Sequence, residues 1–206
     1  MLVIRPAKTS DVKAIRELVD SYAAPGQMLA KETVTLYESV QEFTVAELDG
    51  KVVGCGALHT LWEDLAEVRT VAVEKSLHNQ GIGKKIMERI IERAREIGVA
   101  RIFCLTFQTE FFSRHGFVEI HGTPVDPDVY QQLLRSYDAG VAEFLDLESV
   151  KPNTLGNTRM LLNLSGQYLV PRREYRAHIW GSKGHVAIHL APSPRWVIGL
   201  QCGSHI

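Results

Sequence analysis

At 206 residues, with 45% hydrophobic and 23% charged side chains and a formal net charge of −1, the chain has the make-up of one well-cored globular domain plus a small appendage. The lack of a basic excess argues against a nucleic-acid binder, and no apolar run approaches the roughly 20 residues that span a bilayer. Cys55, Cys104 and Cys202 are too few and too scattered for a disulfide framework or a zinc cluster, and the first six residues do not resemble a signal peptide, so a cytosolic protein is expected.

In chain order, residues 2–5 read as a short strand, followed by a helix over 11–22. Thr9 or Ser10 is available to cap that helix, and Val12, Ile15, Leu18 and Val19 fall on one face. Pro25-Gly26 breaks the chain before a second helix over 31–40. Strands over 43–48 and 51–58 flank Asp49-Gly50, a two-residue hairpin signal. A strand over 65–73 leads into a glycine turn and a helix over 84–97. In that helix Ile86, Ile90, Ala94 and Ile97 form the apolar stripe and Gly98 ends it. Residues 101–107 form a strand, 109–114 a short helix and 117–120 another strand. Val129, Tyr130, Leu133 and Leu134 recur at helical spacing, as a core stripe or as the face of a homodimer.

The segment Val71-Ala72-Val73 … His78-Asn79-Gln80-Gly81-Ile82-Gly83-Lys84 is the most chemically suggestive. Two glycines let the backbone turn and present bare N–H groups at the positive end of a helix, a cradle for a pyrophosphate. The spacing is neither that of a P-loop nor that of a dinucleotide fingerprint. An ordinary strand-to-helix turn is the alternative reading.

The order of elements and several segments together resemble the GNAT N-acetyltransferases. His78-Asn79-Gln80-Gly81-Ile82-Gly83 resembles their Q/R-x-x-G-x-G/A acyl-CoA loop, with His78 at the usual Gln or Arg. Glu67-Val68-Arg69-Thr70-Val71-Ala72-Val73, Leu105-Thr106-Phe107 to His115-Gly116-Phe117, Ser136-Tyr137-Asp138-Ala139-Gly140 to Asp146, and Lys151-Pro152-Asn153 to Arg159-Met160 are similar to the short, single-domain N-acetylglutamate synthases of arginine biosynthesis. The likeness implies an α+β, three-layer GNAT acyl-CoA N-acyltransferase fold over 1–162. Its mixed central sheet would be splayed between the fourth and fifth strands, with helices on both faces. Residues 163–206 would form an extension with no counterpart in the family; its His178, His185 and His189 lack metal-ligand spacing.

The resemblance implies acetyl-CoA as co-substrate and no metal. Val71, Ala72 and Val73 would meet the pantetheine arm as an added strand would. His78, Asn79, Gln80, Gly81, Ile82, Gly83 and Lys84 would hold the diphosphate, although Lys84 is as readily a solvated helix residue. Glu67, a carboxylate in a Val- and Ala-rich strand, is the candidate general base; pairing with Arg69, two residues along the same face, is the competing role. A peptide N–H near Thr70 or Val71 would face the oxyanion. The short helix carries Phe111-Phe112 where many GNAT enzymes have Tyr, which leaves Thr106 as a candidate acid for the thiolate. Leu29, Lys31, Arg69, Thr70, Lys151, Asn157 and Arg159 are the expected acceptor contacts. The expected reaction moves acetyl from acetyl-CoA to the α-amine of L-glutamate by direct attack. Glutamine, a polyamine or a protein α-amine as acceptor, or a non-catalytic acyl-CoA-binding regulatory module, are the alternatives.

Overall fold

The computed structural model describes residues 1–23, 28, 30–148 and 156–164. The extension from 165 onward, Leu29 and Lys151 lie outside the described residues. Strands β1 (Leu2–Pro6), β2 (Phe43–Leu48), β3 (Lys51–Trp62), β4 (Leu65–Val73), β5 (Arg101–Thr106), β6 (Val118–Glu119) and β7 (Thr158–Asn163) form one sheet in the order β1-β2-β3-β4-β5-β7-β6. Only β4 and β5 run parallel; the other neighbours are antiparallel. Asp49 and Gly50 both take positive φ (50° and 83°), as a tight hairpin turn requires, and bring Leu48 opposite Lys51.

The parallel crossover is α3 (Ile82–Glu96), whose Ile82, Ile86, Met87, Ile90, Ile91 and Ala94 are buried against one face of the sheet. Full burial of each large side chain contributes about 1.5–3 kcal/mol. Glycine in β3 makes the close approach possible: a Cβ on Gly56 would meet Ile90 Cδ1 at 2.8 Å and Ile86 Cγ2 at 2.9 Å. Gly98 (φ 84°) donates to Arg95 O, and Val99 donates to Ala94 O, which closes the helix in a Schellman turn. Ile97, expected in the buried stripe, has rotated past it and is exposed.

The opposite face is covered in two separate packs. Helices α1 (Val12–Ala23) and α2 (Thr33–Glu38) bury Phe43, Val45, Cys55 and Ala57. Beyond β4, α5 (Pro127–Leu133) and α6 (Ala139–Phe144) cover Leu65, Phe103 and Leu161. The 129–134 stripe is therefore core: Leu133 is buried, Val129 and Tyr130 pack on the same cluster, and Leu134 is exposed. Neither Thr9 nor Ser10 caps α1. Thr9–Asp11 form a 3₁₀ turn, and the Asp11 carboxylate instead accepts the Lys8 N–H and two Arg5 guanidinium bonds. The remaining helix, α4 (Thr109–Ser113), follows β5. Among the described residues no helix is long and apolar enough to cross a membrane.

Candidate active site

Strands β4 and β5 pair only through Leu65↔Arg101, Ala66↔Ile102 and Glu67↔Phe103, and then part. A bulge accompanies the parting. Cys55 opposes Ala72 and Ala57 opposes Arg69, so Thr70 and Val71 face Gly56 alone. Thr70 sits at φ 60°, left-handed backbone that costs a β-branched residue on the order of 1–3 kcal/mol, and its carbonyl accepts from the Cys55 thiol at 3.7 Å. A bulge bends and twists its strand. Here it helps to open a cleft of about 950 Å³, walled by Glu67, Thr70 and Val71 on one strand and by Leu105, Thr106 and Phe111 across from them.

At the cofactor end the site is built of backbone. Among the described residues the amides of 79–84 donate to no protein acceptor; the first helical bond of α3 is Lys85 N–H to Gly81 O. Asn79 (φ 62°) and Gly81 (φ 78°) turn the chain into the helix. Gly83 is ordinary helix, with a Cβ position 3.5 Å from the Phe111 ring. Lys84 is exposed and 3.7 Å from Glu88, consistent with a solvated face. His78 acts through its ring: Nε2 lies 2.6 Å from the Tyr22 hydroxyl, which itself donates to Val73 O at 2.5 Å. The Val73 carbonyl is thus engaged within the protein and the Ala72 side chain lies in the core, so of the three residues 71–73 Val71 lines the cleft.

The acceptor end is built of charged side chains. Glu67 is only 4% exposed. Arg69 Nη2 stands 2.6 Å from its Oε2, but out of line, so that oxygen has no aligned donor among the described residues. Burial pushes the Glu67 carboxyl above its ordinary range, with Arg69 pulling the other way and Asp138 adding to the rise. Arg69 gives its aligned bonds to Asp138 instead, Nη1 to Oδ2 at 3.2 Å and Nη2 to Oδ1 at 3.0 Å. Asp138 also caps α6, accepting Val141 N–H at 3.1 Å, and lies 3.5 Å from His59 Nε2, whose Nδ1 is 2.7 Å from Glu42. Gly140, in the first turn of α6, touches the pair so closely that a Cβ would fall inside the Glu67 carboxylate and 2.7 Å from Arg69 Nη2.

Of the expected residues, the cleft brings together Glu67, Arg69, Thr70, Val71, Thr106, Lys31 and Asn157. Thr106 Oγ1 accepts Gln108 N–H at 2.8 Å. Lys31 makes no ion pair within 4 Å among the described residues, and its pKa is lowered, first by burial and then by Arg69. Two expected acceptor residues have partners within the protein. Arg69 lines the cleft and is paired with Asp138 and Glu67. Arg159 is not on the cleft wall at all: its guanidinium bonds the carbonyls of Gly122 and Phe144 and stacks on Phe103, tying the α5–α6 segment to the sheet. Residues not anticipated are Tyr22, Gly140, Asp138 and Glu143. Glu143 lines the cleft three residues after Gly140, and burial, followed by repulsion from Glu67, raises its carboxyl to about 7.

The pattern of the Acetyltransferase (GNAT) family matches residues 13–119. The chain belongs to that family. An amino-acid acetyltransferase of Mycobacterium tuberculosis is 61% identical over 165 residues, 79% of this chain and 94% of the relative. The crystal structure of Rv2747 from the same organism, in complex with CoA, superposes with TM-score 0.76 at 61% identity, covering 79% of this chain and 99% of that one. The N-acetylglutamate synthase of Neisseria gonorrhoeae, complexed with coenzyme A and N-acetyl-glutamate, aligns with TM-score 0.64 at 25% identity, covering 80% of this chain but 35% of that longer one. The GNAT acetyltransferase thus has the expected mixed sheet, parallel and splayed between β4 and β5, with helices on both faces.

Proposed function

We propose that this GNAT enzyme moves the acetyl group of acetyl-CoA onto the α-amine of L-glutamate, with Glu67 as general base. The observation that carries the reading is the opened β4–β5 wedge, with a buried carboxylate at its last paired position and unbonded amides at the start of α3. Those amides fit a diphosphate: several donors converge at the positive end of a 15-residue helix, and Gly81 supplies the left-handed turn that exposes them. When bound, the co-substrate supplies an acetyl thioester, and its pantetheine arm would run beside Val71.

The chain's own residues supply the rest. Glu67, with a raised pKa and an oxygen free of aligned donors, accepts a proton from the acceptor's ammonium, directly or through water. The amine then attacks the thioester carbon, and the C–S bond breaks as the N–C bond is completed. The Thr70–Val71 peptide lines the place where negative oxygen develops. The Thr106 hydroxyl, which accepts Gln108 N–H, would relay the second amine proton to the departing thiolate, giving its own proton as it takes up that one. Lys31 and Asn157 would take the acceptor's carboxylates. The N-acetyl-glutamate complex of the Neisseria synthase supports the choice of glutamate, and such a reaction would open arginine biosynthesis.

A second reading is favoured by one observation. Arg69 and Arg159 are both engaged within the protein, which leaves Lys31 as the cation without an ion pair on the described cleft wall. An acceptor with a single carboxylate, such as L-glutamine, suits that wall better than glutamate does. A thiol-release assay with acetyl-CoA and a panel of amino acids tests both. Turnover with glutamate above all others supports the first reading, preference for glutamine the second, and no thiol release with any amino acid overturns both.

A further inference from the structure

Five side chains of alternating charge character run from the turn before β2 to the cleft: Glu42, His59, Asp138, Arg69 and Glu67. Four come from the sheet or the 3₁₀ turn leading into it, but Asp138 comes from the segment that carries α5 and α6. That residue takes both aligned bonds of Arg69 and holds the guanidinium out of line with Glu67, so that one cation is divided between two carboxylates.

We infer that Asp138 is a positioning residue that sets the basicity of Glu67 by restraining Arg69. The inference rests on Glu67 being the base. Were Asp138 absent, two changes would follow with the same sign. Arg69 would be free to turn and bond Glu67 in line, and a negative neighbour of Glu67 would be gone; both favour the ionised Glu67 and make it a weaker base. Asp138 is well placed to hold this arrangement. Its Oδ1 is already fixed by Val141 N–H at the start of α6, and Gly140, two residues on, lies against the same ion pair. The other groups facing Glu67 are His59 on β3, Cys104 on β5, Lys31 before α2 and Glu143 on α6. None of these forms a bidentate bond to Arg69.

The test is the pH dependence of kcat/KM for wild type, Asp138→Asn and Glu67→Gln, together with a ¹³C NMR titration of the Glu67 carboxyl, assigned by its loss in Glu67→Gln. Asparagine keeps the cap on α6 but turns a donor toward Arg69. The acid limb of Asp138→Asn, and the titration of its Glu67 carboxyl, are expected to move to lower pH by about one unit or more, with a lower plateau. A limb and a titration left where wild type has them, or moved to higher pH, overturn the inference. Asp138→Ser, which also caps, repeats the measurement should the asparagine variant fold poorly. The two assignments fail differently. If Glu67→Gln turns over like wild type, Glu67 is not the base, and the NMR titration alone decides whether Asp138 governs its ionisation.

Discussion

The two ends of the cleft are made of different materials. Around the start of α3 the working groups are peptide amides, held by two left-handed residues and a helix axis, and Lys84 in the first turn faces water. Around Glu67 the working groups are side chains from β3, β4, the start of α6 and the turn before β2, a chain of half-buried groups that ends on the buried Glu67. A backbone site is tolerant of side-chain change, and on the proposed reading it would bind a group that every acyl-CoA shares. A side-chain site depends on each member, since removing one partner of a buried pair leaves an uncompensated charge costing about 3–5 kcal/mol. The fold therefore separates what is general in the reaction from what is selective.

Substitutions at the two ends should split accordingly, in affinity for the co-substrate on one side and in turnover on the other. The largest effect is expected for Glu67→Gln, with kcat lowered about 10²–10⁴-fold and acetyl-CoA affinity by calorimetry nearly unchanged. Equal loss of both would erase the division. Next comes Gly140→Ala. The added methyl collides with the Glu67 carboxylate and with Arg69, so kcat should fall steeply and overpacking should cost about 1–3 kcal/mol, read as a drop in Tm, again with acetyl-CoA affinity preserved.

The same difference in material explains what could be read beforehand. The cofactor end is local: strand, turn, glycine and helix follow one another within residues 71–84, so pattern alone reaches it. The Asp49-Gly50 hairpin and the α3 stripe were legible for that reason. At the acceptor end only the Glu67–Arg69 proximity follows from alternation along one strand. Asp138, His59 and Glu42 are brought there by tertiary packing, and nothing in their spacing links them. Strand β7 escaped notice because Met160, Leu161 and Leu162 are all buried, two on one face and one on the other, so the two-residue alternation that marks a half-exposed strand is missing. That strand also carries Arg159, which is why an arginine expected at the substrate is a tie between the sheet and the segment of α5 and α6. Tyr22 gave no signal either: its partner Val73 O lies 51 positions away.

Smaller effects probe the division more finely. Arg159→Gln would leave the carbonyls of Gly122 and Phe144 without their guanidinium donor, and should lower stability by about 1–3 kcal/mol while KM for the amino acid stays put. A raised KM with unchanged Tm would restore Arg159 to the acceptor site. Gly81→Ala meets no atom within 4 Å, so its penalty is conformational alone, about 1–2 kcal/mol for leaving an alanine at φ 78°. Weaker acetyl-CoA binding with kcat retained at saturation is expected.

The last effect is one of pH and concerns Glu143. Burial, then Glu67, raises its carboxyl to about 7 from the ordinary 4.5, so the folded protein holds that proton more tightly than the unfolded chain does. Its contribution to stability is therefore complete below about pH 4.5 and is lost as the pH climbs through 7. Glutamine cannot ionise, so the Tm of Glu143→Gln should gain on that of wild type across this interval and run parallel to it outside. A difference that stays level from pH 4.5 to 7 would mean that the Glu143 carboxyl titrates as if in water, and that neither burial nor the charge of Glu67 weighs on it.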